Sequence, residues 1–400
     1  MKNKILVLGA FDRFNYGDIL FPHIINYKFN KVENTSIEYY GMIKSDLSEI
    51  GGIPTFDINK FYQECNLPNN KVSVIIAGGE AINASWTSLY SSLNNIFYIL
   101  SRTFERAKIS PNIIDFNKIA KFFLNGQTEL PYIFKKSDFT NVSHIILNSL
   151  GGSSIDSKVF SRYPSLLTSL PNVDYFSVRD NETYQIMEKN NLQVKLFPDS
   201  AIIMSEIFPI NKLQKLVSDE TLEFVNKNKG NYLFFQTNES NGVKNHSQIV
   251  EELTKIQTLY DTTICLCPIG KASGHSDQIP LKKISHALKS PAILFDNVTI
   301  WDIMYLIASS KCYSGTSLHG AITAMSFNVP YIGLKVRKLN NYLKTWGADG
   351  INKAIDFPDL SSQYLKAIST DRQLLSESRN KQINEINISF ENIQSTLLSS

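Results

Sequence analysis

Cysteine, net charge and long apolar runs are all scarce in this chain, and each shortage removes a class of protein. Only four cysteines occur in 400 residues, Cys65, Cys265, Cys267 and Cys312, mostly inside apolar strands. Cys265 and Cys267 alternate along one strand, a spacing that suits neither a zinc knuckle nor a CxxC redox pair. Reduced core thiols, and with them a cytoplasmic address, are the expectation. The net charge is only +3, with Lys and Arg spread among Asp and Glu, so the basic stripe of a nucleic-acid-binding protein is missing. A local anionic substrate stays compatible with that balance. No apolar stretch approaches the roughly 20 residues that cross a bilayer. The opening MKNKILVLGAF imitates a secretory signal, but its apolar run spans only Ile5 to Ala10, is broken by Gly9 and leads to Asp12 and Arg13 without a small-residue cleavage site. It reads as a first buried strand. The residues after it do not match GxGxxG, which removes nicotinamide binding. In CPIGKASGHSD, His275 and Asp277 lack a third metal ligand at suitable spacing. No metal and no cofactor is expected, and solvated loop polarity accounts for these residues and for Lys271.

What is present is a repeating alternation of short apolar runs and helical segments. Apolar residues make up 43% of the chain, enough for a large interior, and the length predicts two domains of similar size. Strands are predicted at Lys4–Leu8, Val72–Ala77, His144–Asn148, Tyr175–Val178 and Lys195–Phe197, each nearly continuous in apolar residues as a strand covered on both faces should be. The pattern breaks at Pro198-Asp199-Ser200. After a helical stretch near Leu213–Asn226 it resumes with Tyr232–Gln236, Thr263–Cys267, Ala292–Phe295, Lys311–Tyr313 and Tyr331–Leu334, with helices predicted at Ser247–Leu259, Ile279–Leu288 and Ile300–Ser309. The spacing is that of βαβ crossovers. The predicted fold class is therefore α/β: two Rossmann-like domains, residues 1–205 and 206–400, whose parallel sheets face a central cleft. The Phe- and Asn-rich segment Ser92–Lys136 is longer than a crossover and is expected to be a helical insertion or lid. From Leu360 onward a polar, helix-prone tail is expected to run back over the first domain. In such sheets ligands bind beyond the carboxyl ends of the strands, here in the cleft.

Candidate site residues cluster at those ends. The stretch Lys311–Leu334 reads as strand, polar loop, amphipathic helix and strand. Ser314, Gly315, Thr316 and Ser317 mark the handover to the helix, where free backbone N–H groups and the positive end of the helix dipole converge on an anion. Leu318, Ile322 and Met325 mark the buried stripe, and His319 shares the other flank with Thr323 and Ser326. A histidine so placed is either a satisfied structural group or a partner for that anion. After the first strand come Asn15, Gly17 and Asp18, where Gly17 permits a tight turn and Asp18 is a plausible helix cap, or all face a ligand. Gly78 and Gly79 either turn the chain or let a ligand approach, and Glu80 can accept from sugar hydroxyls. Arg179, beside Asp180, is either half of a surface ion pair or a fork for a carboxylate or phosphate. Lys335, Arg337 and Lys338 form a small basic cluster at the mouth of the cleft.

Taken in order, NYGD (Asn15–Asp18), IIAGGEAI (Ile75–Ile82), SVRD (Ser177–Asp180), FPDSA (Phe197–Ala201) and SGTSLHGAITAMSFNVPYIGL (Ser314–Leu334) resemble the polysaccharide pyruvyl transferase family. No single block decides this; their order from about residue 5 to 345 does. The resemblance implies a GT-B-like architecture and transfer of the pyruvyl group of phosphoenolpyruvate to a sugar of a cell-surface polysaccharide, usually as a cyclic ketal. It implies His319 as the functional histidine, Arg179 in the arginine block, and Lys338, or Arg337 or Lys335, as the lysine after the last strand. Many members read R-L-H where this chain reads S-L-H, so one cation for the donor is missing and Ser317 stands in its place. Donor binding then falls to Arg179, Lys338 and the residues Ser314–Ser317.

His319 would act as acid or phosphate ligand, and Glu80 or Asp18 would accept the proton of the acceptor hydroxyl, with Asn15, Gly17, Gly78 and Gly79 on the acceptor side. The expected partners are phosphoenolpyruvate and a glycan or lipid-linked oligosaccharide, the latter bringing the enzyme to the inner face of a membrane without a spanning segment. No nucleic-acid partner is expected. The rival functions are a nucleotide-sugar glycosyltransferase of the same fold and a non-catalytic glycan-binding homologue.

Overall fold

The computed structural model describes residues 3–30, 32, 35–68, 71–107, 113–153, 155, 157–271, 276–289 and 292–398. Among them are eleven strands in two sheets. The first holds β1 (Asn3–Leu8), β2 (Thr35–Tyr40), β3 (Val72–Ala77), β4 (Val142–Leu150), β5 (Tyr175–Val178) and β6 (Lys195–Leu196), in the order β2-β1-β3-β4-β5-β6. The second holds β7 (Tyr232–Gln236), β8 (Thr263–Leu266), β9 (Ala292–Leu294), β10 (Cys312–Gly315) and β11 (Tyr331–Gly333), in the order β11-β10-β7-β8-β9. Every pairing between them is parallel. The fold class expected from the apolar runs is the one observed.

Strand periodicity explains how the first sheet serves two cores. Ile5, Val7, Ile75, Ala77 and Ile146 point to the face covered by helix α1 (Tyr16–Phe29), in a core continuous with the second domain. Their neighbours Leu6, Leu8, Val74, Ile76, Ile145 and Leu147 point to the opposite face and a separate core. Cutting a fully buried member such as Leu6 or Ile75 back to Ala would cost about 2–5 kcal/mol.

Strand β2 is missing from the expected set. Its sequence TSIEYY lies at a sheet edge and is largely half-buried, so the edge position never required a continuous apolar run. β10 begins and ends later than expected, which moves Ser314 and Gly315 from loop into strand. Helix α2 (Leu318–Ser326) is also not amphipathic: every residue but His319 is buried. It is enclosed by the second sheet and by the turn Ser200–Ile203, where Ser326 Oγ donates to Ile202 O at 2.6 Å. Helix α3 (Arg337–Trp346) follows β11.

Two features fasten the domains together. Helix α4 (Arg372–Leu398) packs across the first domain, where Tyr175 Oη meets Ser389 Oγ at 2.7 Å and Gln394 Nε2 donates to Lys28 O at 3.0 Å. The loop after β1 is stitched to the loop after β8: Tyr16 N–H donates to Ile269 O at 3.1 Å, and Lys271 N–H to Phe14 O at 3.3 Å. Among the described residues no helix is long and apolar enough to cross a membrane.

Candidate functional site

A cleft of about 600 Å³ lies beyond the carboxyl ends of both sheets. The first domain lends it Arg13, Asn15, Asp18, Gly78, Gly79, Glu80 and Arg179, and the second lends Gln236, Asp277, Thr316, Ser317, His319 and Lys338. Two other depressions lie away from both sheet ends at the cleft, one over helix His246–Tyr260 and one between helix Asp219–Asn228 and the start of β8.

Helix α1 begins with Asn15, whose side chain accepts from Gly17 N–H at 3.3 Å. The cap is therefore Asn15 and not Asp18, because only a residue just outside the helix can turn its oxygen back onto the first N–H groups. Gly17 is not a turn residue either. It lies inside α1, and a Cβ there would sit 1.7 Å from His319 Nδ1. Its missing side chain is the space in which the imidazole rests. Phe21, one turn along, meets the same ring edge-on at 5.5 Å. Asp18 is half-buried beside them. Desolvation pushes its carboxyl up, opposed by the charges of His319, Arg13 and Lys338. Gly78 and Gly79 have φ of 69° and 77°, a conformation that favours glycine, and a Cβ on Gly78 would strike the Phe21 ring.

Arg179 is enclosed between two carboxylates. Nη1 donates to Asp199 at 2.9 Å and Nη2 to Glu80 at 2.5 Å. Glu80 also accepts from the N–H and Oγ of Ser153, both at 3.1 Å. Burial alone would raise the Glu80 carboxyl, but Arg179 and Lys338 hold it below the usual range. The guanidinium expected to grip a donor anion thus lines the cleft with one N–H of each terminal nitrogen given to Asp199 and Glu80, and it holds those two carboxylates in place. Its sequence neighbour Asp180 is not its partner but the cap of helix Asn181–Lys189, accepting from Thr183 N–H at 2.9 Å. Asp199 is fully buried. Burial would raise it, yet His319 and Arg179 hold it down to about 2. Its Oδ2 lies 3.4 Å from His319 Nε2, an ion pair when the imidazole is protonated, and Nε2 is buried without a hydrogen-bond partner among the described residues.

At the start of α2, Gln236 has taken the place reserved for an anion. Its Oε1 accepts from Thr316 N–H at 3.1 Å and Ser317 N–H at 3.0 Å, while its Nε2 donates to Asp277 at 2.8 Å. Asp277 also accepts from the N–H groups of Ile269 and Gly270. Burial pushes its carboxyl up to about 6 against these bonds. Ser317 Oγ is the helix cap, accepting from Gly320 N–H at 3.3 Å. Ser314 and Gly315, in β10, do not line the cleft. The backbone donors left without a partner among the described residues are the N–H groups of Leu318 and His319. Of the three basic residues after β11, only Lys338 faces the cleft, from the first turn of α3. Lys335 pairs with Asp356 at 2.9 Å and Arg337 with Glu182, both on the surface. His275 lies outside the described residues. Lys271 Nζ donates to Asp296 O at 2.8 Å. Among the described residues, no group of three His, Cys, Asp or Glu could hold a metal ion.

The sequence profile of the polysaccharide pyruvyl transferases matches residues 15–337. The chain belongs to the polysaccharide pyruvyl transferase family. Comparison with curated proteins gives no match. Similar solved structures include Staphylococcus aureus MnaA with UDP, with a TM-score of 0.56 and 11% identity over 94% of this chain and 90% of that one. A putative UDP-N-acetylglucosamine 2-epimerase from Listeria monocytogenes gives 0.56 and 11% over 96% and 91%. The UDP-GlcNAc 2-epimerase of Neisseria meningitidis bound to UDP-GlcNAc gives 0.55 and 10% over 99% and 100%. At such identities the likeness is one of fold, and the fold is GT-B-type.

For this family member, residues that the motif reading passed over are Arg13, Asp199 and Gln236. Arg13 lies in the loop between β1 and α1, and its Nη1 donates to Asp12 at 3.1 Å. Asp199 stands in the FPDSA block, a signal that was available. Nothing in the sequence marks a glutamine at the end of β7 as the partner of a helix start about 80 residues on.

Proposed function

We propose that the chain transfers the pyruvyl group of phosphoenolpyruvate to a sugar of a cell-surface polysaccharide or its lipid-linked precursor, closing a cyclic ketal across two hydroxyls. The carrying observation is one imidazole, that of His319, held between Asp199 and Gly17 beside two unpartnered helix-start N–H groups and Lys338. These donors suit the phosphate and carboxylate of the donor, and they take over from Arg179 and from the Thr316 and Ser317 N–H groups. A proton delivered to the methylene carbon makes the central carbon electrophilic, and one sugar hydroxyl adds there. Departure of inorganic phosphate and addition of a second hydroxyl then close the ring, the two hydroxyl protons going to the protein and the leaving phosphate. His319 serves as the acid or as a phosphate ligand. Asp18 is the better base of the two carboxylates. Its carboxyl is raised and makes no hydrogen bond among the described residues, whereas Glu80 is pinned by Arg179 and Ser153.

A nucleotide-sugar donor is the second reading, favoured by the GT-B-type fold. Thermal shift with phosphoenolpyruvate against UDP-sugars separates the two. Stabilisation by phosphoenolpyruvate, with phosphate released when the glycan acceptor is added, is the expected outcome. Stabilisation by UDP-sugars alone would sink the proposal.

A further inference from the structure

The insertion carries a surface that the cleft chemistry does not use. Helices Asn95–Arg106 and Phe116–Phe123 pack against each other through Phe97, Phe104 and Phe116, with ring centroids 5.5 Å apart in both pairs. That inner stripe accounts for their folding. It leaves a second apolar set facing outward: Ile96 is 72% exposed, Ile99 54%, Phe122 77% and Phe123 59%. Ile96 and Ile99 share one helix face by their spacing, and the next positions on that face are Arg102 and Arg106. Lys118, Lys121 and Phe122 likewise share a face of the second helix. Of the acids on or capping these two helices, Glu105 pairs with Arg102 at 2.7 Å and Asp115 caps the second helix. Arg106 and Lys121 have no carboxylate partner among the described residues.

We infer that these two helices form a membrane-docking surface that seats its apolar tips in an anionic lipid leaflet. Apolar side chains fringed by cations match the boundary between acyl chains and negatively charged headgroups. A protein partner would have to supply carboxylates, and a second copy of this surface would bring like charges together. The surface is continuous with the cleft, because helix Trp86–Leu93, which packs on both helices, contributes Ser88, Leu89 and Ser92 to the cleft wall. Docking there would bring the mouth of the site to the headgroup plane, where the sugar of a lipid-linked acceptor lies. The docking surface stands on its own geometry, so it and the donor assignment fail separately.

The test is flotation of the full chain with vesicles of phosphatidylcholine alone and with phosphatidylglycerol added. Binding is expected to the anionic vesicles and to fall about fivefold for each cation neutralised in Arg106→Gln and Lys121→Gln. Ile96→Ser with Ile99→Ser and Phe122→Ser is expected to abolish it while thermal unfolding and donor-induced stabilisation stay unchanged. Failure of the native chain to float with anionic vesicles overturns the inference. So does flotation that survives the triple serine variant, or sedimentation showing a dimer that this variant dissolves.

Discussion

Replacing Gly17 with Ala is the sharpest probe of how this site is built, because it touches neither the charges nor the donors. By helix propensity alone the change should stabilise α1 by up to about 1 kcal/mol. The structure sets that against a collision: the new Cβ would lie 1.7 Å from Nδ1 and 2.2 Å from Cγ of His319. Ordinary carbon contacts fall near 3.5–4 Å, so the ring and helix must part by about 1.5–2 Å. Phe21 blocks one side of the ring at 5.5 Å, and Asp199 stands at the other nitrogen. The imidazole must therefore leave its seat. Overpacking of this kind costs about 1–3 kcal/mol, so the net loss of stability should be small. A displacement beyond about 1 Å at a reacting group costs on the order of a hundredfold in rate. Phosphate release from phosphoenolpyruvate with the glycan acceptor should fall at least that far, while the melting temperature moves by a few degrees. A variant that keeps the native rate, with a crystal structure placing His319 where it now stands, would refute the role assigned to the glycine and to the ring.

Lys338→Ala should weaken stabilisation by phosphoenolpyruvate about tenfold or more, whereas Lys335→Ala and Arg337→Ala should not, since those two pair on the surface. Equal effects from all three in a donor titration would contradict this. Asp199 carries a pH signature. Its folded pKa of about 2 lies below the ordinary 3.8, so its contribution is complete above pH 4 and is lost as the pH falls toward 2. The contribution is on the order of 2 kcal/mol, and Asp199→Asn should flatten that acid limb in urea unfolding measured between pH 5 and 2. Asp277 has the opposite sign: its folded pKa of about 6 exceeds 3.8, so the stability tied to its neutral form is present below pH 4 and lost as the pH rises through 6. Asp277→Asn should therefore lose less stability than the native chain between pH 5 and 8, and parallel curves would show that this carboxyl is not shut away from water.

The fold class was legible because parallel strands buried on both faces must be written in nearly unbroken Val, Ile and Leu, as in VSVIIA of β3. β2 escaped because TSIEYY sits at an edge and buries little. The candidate site was legible as a set of strand ends but not as a set of partnerships. That Arg179 follows β5 can be read from the chain; that Asp199 and Glu80 close on it from other loops cannot. The basic cluster after β11 separates only when the path of α3 turns Lys338 inward and Lys335 and Arg337 outward. The amphipathic expectation for α2 failed because segments far earlier in the chain cover its polar flank, where Ser326 Oγ donates to Ile202 O and Thr323 Oγ1 meets Tyr16 Oη.

The backbone seam between Phe14–Tyr16 and Ile269–Lys271 has an evolutionary consequence. A residue gained or lost in either loop alone would shift the register of that seam. Diversification toward new glycans must then proceed through segments that hang free of it. The described residues between 92 and 136 take no part in that seam, and exchanging them between relatives would leave it intact.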